Sequence, residues 1–189
     1  MKTSSRIILF TWILVALATI SKLLFAAKIE WSGFSPIIAI ALFSGMIIKD
    51  KSKSFLLPLV ALFVSDMLIQ AFYQLGWFPF AGIYAHQWVN YGILLSVTLL
   101  GWALKGRNYS SLLTGAIAAP TLFFLISNFL VWSGHGGLQR PLTFNGLILC
   151  YGDALPFYKH ALAGTLLFLP ALLFLYNYIV KGSSKLTLA

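Results

Sequence analysis

The chain has 189 residues, of which 60% are hydrophobic and only 9% charged, with 13 Lys and Arg against four Asp and Glu. Soluble domains carry about a quarter of their residues as charges, so this composition cannot clothe a water-exposed surface. A soluble enzyme, a disordered chain and, with a single cysteine, a disulfide-stapled secreted scaffold are excluded, which leaves an integral membrane protein of a length suited to one domain over 1–189.

A helix rises about 1.5 Å per residue, so about twenty apolar residues cross about 30 Å of hydrocarbon. The first such run, 7–27, is broken only by Lys22 near its far end, from where the ammonium can reach the interface along its aliphatic stem. Phe25 stands where a signal peptidase needs a small residue before Ala27, so an uncleaved helix is expected. The second run, 31–48, has no charge, and Pro36 suits a first helical turn. The third, 54–75, contains Asp66. The fourth is 87–104, the fifth 110–132 and the sixth 160–180. These runs are continuous and do not alternate, which predicts helices and not barrel strands. The expected fold class is therefore all-α: six transmembrane helices in one compact bundle.

The basic residues predict the orientation. With the N-terminus inside, the cytoplasmic side receives Lys2, Arg6, Lys49, Lys51, Lys53, Lys105, Arg107, Lys181 and Lys185, and the outer side only Lys28, Arg140 and Lys159. This positive-inside bias puts both termini in the cytoplasm. The net charge of +9 then reflects contact with anionic membrane lipid and not with nucleic acid. The triplet Asn108-Tyr109-Ser110 matches a glycosylation sequon, but falls on the inside.

Polar residues concentrate toward the outer side. Asp66, Asn90 and Asn128 lie within helices three, four and five. A carboxylate at mid-depth costs at least about 2.5 kcal/mol on insertion scales, so Asp66 should face the bundle interior. No charged partner is expected at its depth. Each of the three either binds a polar ligand or bonds a neighbouring helix. Two outer loops follow from the span boundaries, 76–86 and 133–159, the second far longer than a bundle connection needs. It is expected to fold back over the helix ends, with a short interfacial helix within it. Arg140 can take a carboxylate or phosphate as a two-pronged partner, contact lipid phosphate, or pair with Asp153. Trp132 and Tyr151, among other outer aromatics, can stack on a flat ligand or belong to the interfacial belt. Cys150 is a soft metal ligand or a small buried residue. His86, His135 and His160 share the outer side, but no two have ligand spacing, so no metal and no cofactor is expected. There is no GxxxxGK[ST], GxSxG, HExxH or CxxC, which speaks against an enzyme.

The segments FSPIIAIALFSG (34–45), LPLVALFVSD (57–66), FFLISNFLVW (123–132) and CYGDALPF (150–157) resemble a family of small bacterial membrane proteins known only by a description as transport proteins. That family is similar to the substrate-binding S component of energy-coupling factor (ECF) transporters. The resemblance implies six helices with both termini cytoplasmic, in a bacterial inner membrane. It implies a small, vitamin- or cofactor-like molecule bound from the outer face, and delivery through a separate transmembrane scaffold with ATPase subunits. The expected site lies beneath loops 76–86 and 133–159, with Asp66, Asn90 and Asn128 as polar anchors, Trp132 and Tyr151 stacking on the ligand, and Arg140 holding an anionic group. The alternative is an accessory or structural subunit of a larger membrane complex, with no ligand of its own.

Overall fold

A computed structural model describes residues 3–26, 28–85, 87–106, 108–134 and 140–183. Among these, α1 (Thr3–Ser21) runs into a π-helical turn (Lys22–Ala26), and a single 3-10 turn (Ile29–Trp31) leads to α2 (Ile37–Ile47). Then come α3 (Lys51–Gln74), α4 (Gln87–Leu104), α5 (Tyr109–Ser133) and α6 (Phe144–Tyr176), which closes with a π-helical turn (Asn177–Lys181). No strand occurs among the described residues. Among the described residues four helical stretches are long and apolar enough to cross a membrane: Ser5–Phe25, Lys51–Gln74, Tyr109–Ser133 and Phe144–Lys181. They mark the chain as a membrane protein.

Two sequence expectations change here. The run 31–48 becomes a helix of only 11 residues, Ile37–Ile47, roughly 16 Å long and about half the hydrocarbon thickness. The expected loop 133–159 is largely helix. α6 begins at Phe144 and runs for 33 residues through Pro156 and Pro170. Its start is fixed by Thr143, whose side chain accepts the Gly146 N–H at 3.1 Å, a cap that gives the first orphan N–H groups a partner. Asn108, the sequon residue, serves α5 in the same way: its Oδ1 accepts the Ser111 N–H at 2.7 Å. Asp50 caps α3 through the Lys53 N–H at 3.1 Å.

α2 is the axis of the molecule. All eleven of its residues are buried, and it packs against α3, α4, α5 and α6. Its approach to α4 depends on glycine. A Cβ on Gly45 would lie 2.1 Å from the Thr98 carbonyl oxygen, and one on Gly101 would lie 2.6 Å from that of Leu42. Small residues let the two backbones touch, the usual way helices associate where water supplies no hydrophobic drive. α1 covers α3 and the end of α6, where Phe10 meets Phe43 and Tyr176 at ring distances of 5.7 and 5.4 Å. Toward the other end the helices separate and leave a space.

Candidate ligand-binding cavity

That space is a cavity of about 490 Å³. It sits between the end of α1, the starts of α2 and α4, the later halves of α3 and α5 and the middle of α6. Asp66, eight residues before the end of α3, forms its polar base. Lys22 Nζ donates to Asp66 Oδ1 and, at 2.9 Å, to Ser65 Oγ. Gln87 Nε2 and the Tyr91 hydroxyl both donate to Asp66 Oδ2, the latter at 2.8 Å. The Asp66 side chain keeps only 7% of its surface exposed and that of Lys22 21%. Such a pair holds together only with further hydrogen bonds on the carboxylate, and here Gln87 and Tyr91 supply them.

The sequence reading gave Asp66 no charged partner and sent Lys22 to the interface; both expectations are corrected. Lys22 opens a π-helical turn, and its side chain reaches inward to Ser65 and Asp66 from there. Such turns often mark functional positions.

Residues 75–85 roof the cavity and are fastened from below. Gln70 Oε1 accepts the Ile83 N–H at 3.1 Å, and Gln87 Nε2 donates to the Gly82 carbonyl at 3.1 Å. Gly82 lies so close to α3 that a Cβ would stand 2.0 Å from the Asp66 carbonyl oxygen. Asn90 Nδ2 donates to the Tyr84 hydroxyl at 2.6 Å. Burial and the neighbouring Asp66 carboxylate raise the Tyr84 phenol above its ordinary value, so it remains a neutral hydroxyl.

The remaining wall comes from α5 (Pro120, Phe123, Phe124, Ser127 and Asn128) and α6 (Phe157, Tyr158 and Ala161). The Tyr158 hydroxyl lies 2.9 Å from Thr121 Oγ1, and Asn128 Nδ2 donates to the Phe124 carbonyl at 2.8 Å. Residues Ser32, Gly33 and Ser35 complete the rim. Trp31 stacks on His160 at 6.0 Å, and His160 Nδ1 lies 3.1 Å from the Ser32 carbonyl oxygen. The wall is thus aromatic, with neutral amides and hydroxyls interspersed.

Of the expected site residues, Asp66, Asn90 and Asn128 line this cavity. Trp132, Arg140 and Tyr151 do not. Trp132 Nε1 donates to the Pro141 carbonyl at 3.0 Å and the Tyr151 hydroxyl to that of Leu125 at 2.8 Å. Arg140 closes a two-pronged pair on Asp153, Nε to Oδ2 at 2.9 Å and Nη2 to Oδ1 at 3.0 Å. The expected roof from 133–159 also shifts, because its later half is the wall helix itself. His86 and His135 lie outside the described residues, as do Lys2, Ala27, Arg107 and Lys185. Among the described residues no group of three His, Cys, Asp or Glu could hold a metal ion. Lys22, Gln87, Phe123 and Tyr158 were not among the residues expected at the site. Only Lys22 carried a signal, as the one charge in an otherwise apolar run.

A family model described as a family of unknown function, DUF6580, matches residues 1–186. The chain belongs to this family. No curated protein and no solved structure matches it.

Proposed function

We propose that this DUF6580 chain is the substrate-binding subunit of a small-molecule uptake system in a bacterial inner membrane, similar to the S component of an ECF transporter. In this reading it is not an enzyme. It crosses the membrane six times with both termini cytoplasmic, α2 and the non-helical stretch before it together covering the second crossing. The observation that carries the reading is the cavity. Ligand sites typically measure about 300–1,000 Å³, mostly apolar with a few placed polar groups, and this one combines 490 Å³, aromatic walls and the Lys22–Asp66 base. The basic residues on the opposite side support an outward-facing mouth. Release to the cytoplasm then requires a partner, for which a transmembrane scaffold with ATPase subunits fits the absence of a nucleotide-binding motif.

The test is mass spectrometry of small molecules that co-purify with the solubilised protein. A stoichiometric compound in the wild type, lost in Phe123→Ala, is the expected result. An empty protein that repeatedly brings down another membrane subunit, and gains no thermal stability from any metabolite pool, would overturn the reading in favour of a structural subunit.

A further inference from the structure

The polar base of the cavity says more about its ligand than its size does. Both Asp66 oxygens are taken, Oδ1 by Lys22 and Oδ2 by Gln87 and Tyr91. An ionised carboxylate only accepts, so Asp66 has little left to offer a ligand. Lys22 differs. Its ammonium has three N–H groups, of which Ser65 and Asp66 take two, and among the described residues nothing takes the third. Lys22 lines the main cavity and also a recess of about 110 Å³ beside it, under Ser32 and Ser35.

Charge narrows the choice further. Among the described lining residues Lys22 and Asp66 are the only formally charged ones, and they neutralise each other. An ionic ligand would carry an unmatched charge into a space walled by phenyl rings, and burying an unpaired charge is costly. A neutral ligand avoids that cost and can still accept a hydrogen bond from Lys22, a bond strengthened by the donor's charge. Phe78, Phe123, Phe124 and Phe157 line the space from the roof, α5 and α6, and an aromatic lining suits a flat partner.

We infer that the site selects net-neutral, planar heteroaromatic molecules, anchored by an edge carbonyl or ring nitrogen on the free N–H of Lys22, with Asp66 acting as the counter-charge that excludes anions. This rests on the ligand-binding reading above.

The experiment uses two fluorescent probes of one shape, acridine-9-carboxamide (neutral) and acridine-9-carboxylate (anionic), titrated into the full chain in nanodiscs with empty nanodiscs as background. Wild type should bind the carboxamide at least about tenfold more tightly, and Lys22→Met should lose about that factor, the size of one hydrogen bond to a charged group. Asp66→Asn should reverse the preference, because the unmatched Lys22 ammonium then attracts the carboxylate. Lys22→Gln, which keeps a donor without a charge, should bind the carboxamide less tightly than wild type but more tightly than Lys22→Met, and with the wild-type ranking it decides the matter if Asp66→Asn does not fold. Tighter binding of the carboxylate by wild type, or an unchanged preference in folded Asp66→Asn, overturns charge selection and leaves the small-molecule reading standing. Binding of neither probe overturns the ligand class, while the co-purification experiment judges the wider reading by itself.

Discussion

Lys22 stands near the end of an apolar run, and its ammonium has two ways to go, out to the interface or in to a carboxylate. It goes in. Breaking a buried pair by removing one partner costs about 3–5 kcal/mol, whereas replacing both by apolar residues is often neutral or stabilising. Lys22→Met and Asp66→Leu should therefore each lower stability by about 3 kcal/mol or somewhat less, given the partial exposure of Lys22, and the double variant should recover most of the loss. A double-mutant cycle on thermal unfolding in detergent reads this directly. Arg140→Ala is the contrast. Its pair with Asp153 is a third exposed on both sides, so stability should fall by no more than about 1 kcal/mol, and ligand affinity, measured by the same titration, should not change. The depth of Asp66 was legible in the sequence because a carboxylate amid apolar residues has few places to be. Its partner was not. Lys22 lies 44 residues away, and which face of α1 meets α3 depends on the packing of both, which no local pattern records.

Among the helices, length was not legible in the sequence, and the close approach of α2 to α4 rests on single glycines, Gly45 and Gly101. Gly45→Ala places a Cβ against the Thr98 carbonyl, which neither backbone can vacate without parting the helices. Overpacking of this kind costs about 1–3 kcal/mol, and a lower melting temperature with less monodisperse protein on size exclusion is expected. Gly92, on α4, has nothing within 4 Å of its would-be Cβ, so Gly92→Ala should stabilise by about 0.5–1 kcal/mol, the helix-propensity difference. α6 was read as half loop because Asp153, Pro156 and Lys159 interrupt its apolar pattern. Arg140 neutralises Asp153, and prolines are tolerated within membrane helices where neighbours take up the freed carbonyl. The one local sign of the true start was Thr143, a good cap residue placed just ahead of Phe144.

For the molecule as a whole, the proposed topology makes a labelling prediction. Cys150 is the single cysteine, buried with its Sγ 3.7 Å from the Asn128 carbonyl, so Cys150→Ser gives a background in which added cysteines report alone. In intact cells a membrane-impermeant maleimide should label Trp77→Cys, and should label Lys105→Cys only after permeabilisation. The opposite pattern would invert the orientation and turn the cavity mouth to the cytoplasm. Membrane class was legible from composition because sparse charge leaves no alternative; of the cavity, the polar residues Asp66, Asn90 and Asn128 were legible, but not its aromatic wall, since parts of all six helices enclose the space together. The shortness of α2 bears finally on how the molecule is made. A ribosome delivers α2 before any of the four helices that enclose it, and a helix of roughly 16 Å cannot hold a place across a bilayer by itself. The newborn segment must wait at a shallow position or beside the insertion machinery until α6 has emerged. Biogenesis thus cannot proceed as a simple sequence of stitches, and a chain released early leaves an apolar stretch without shelter, the kind of lesion that membrane quality control removes.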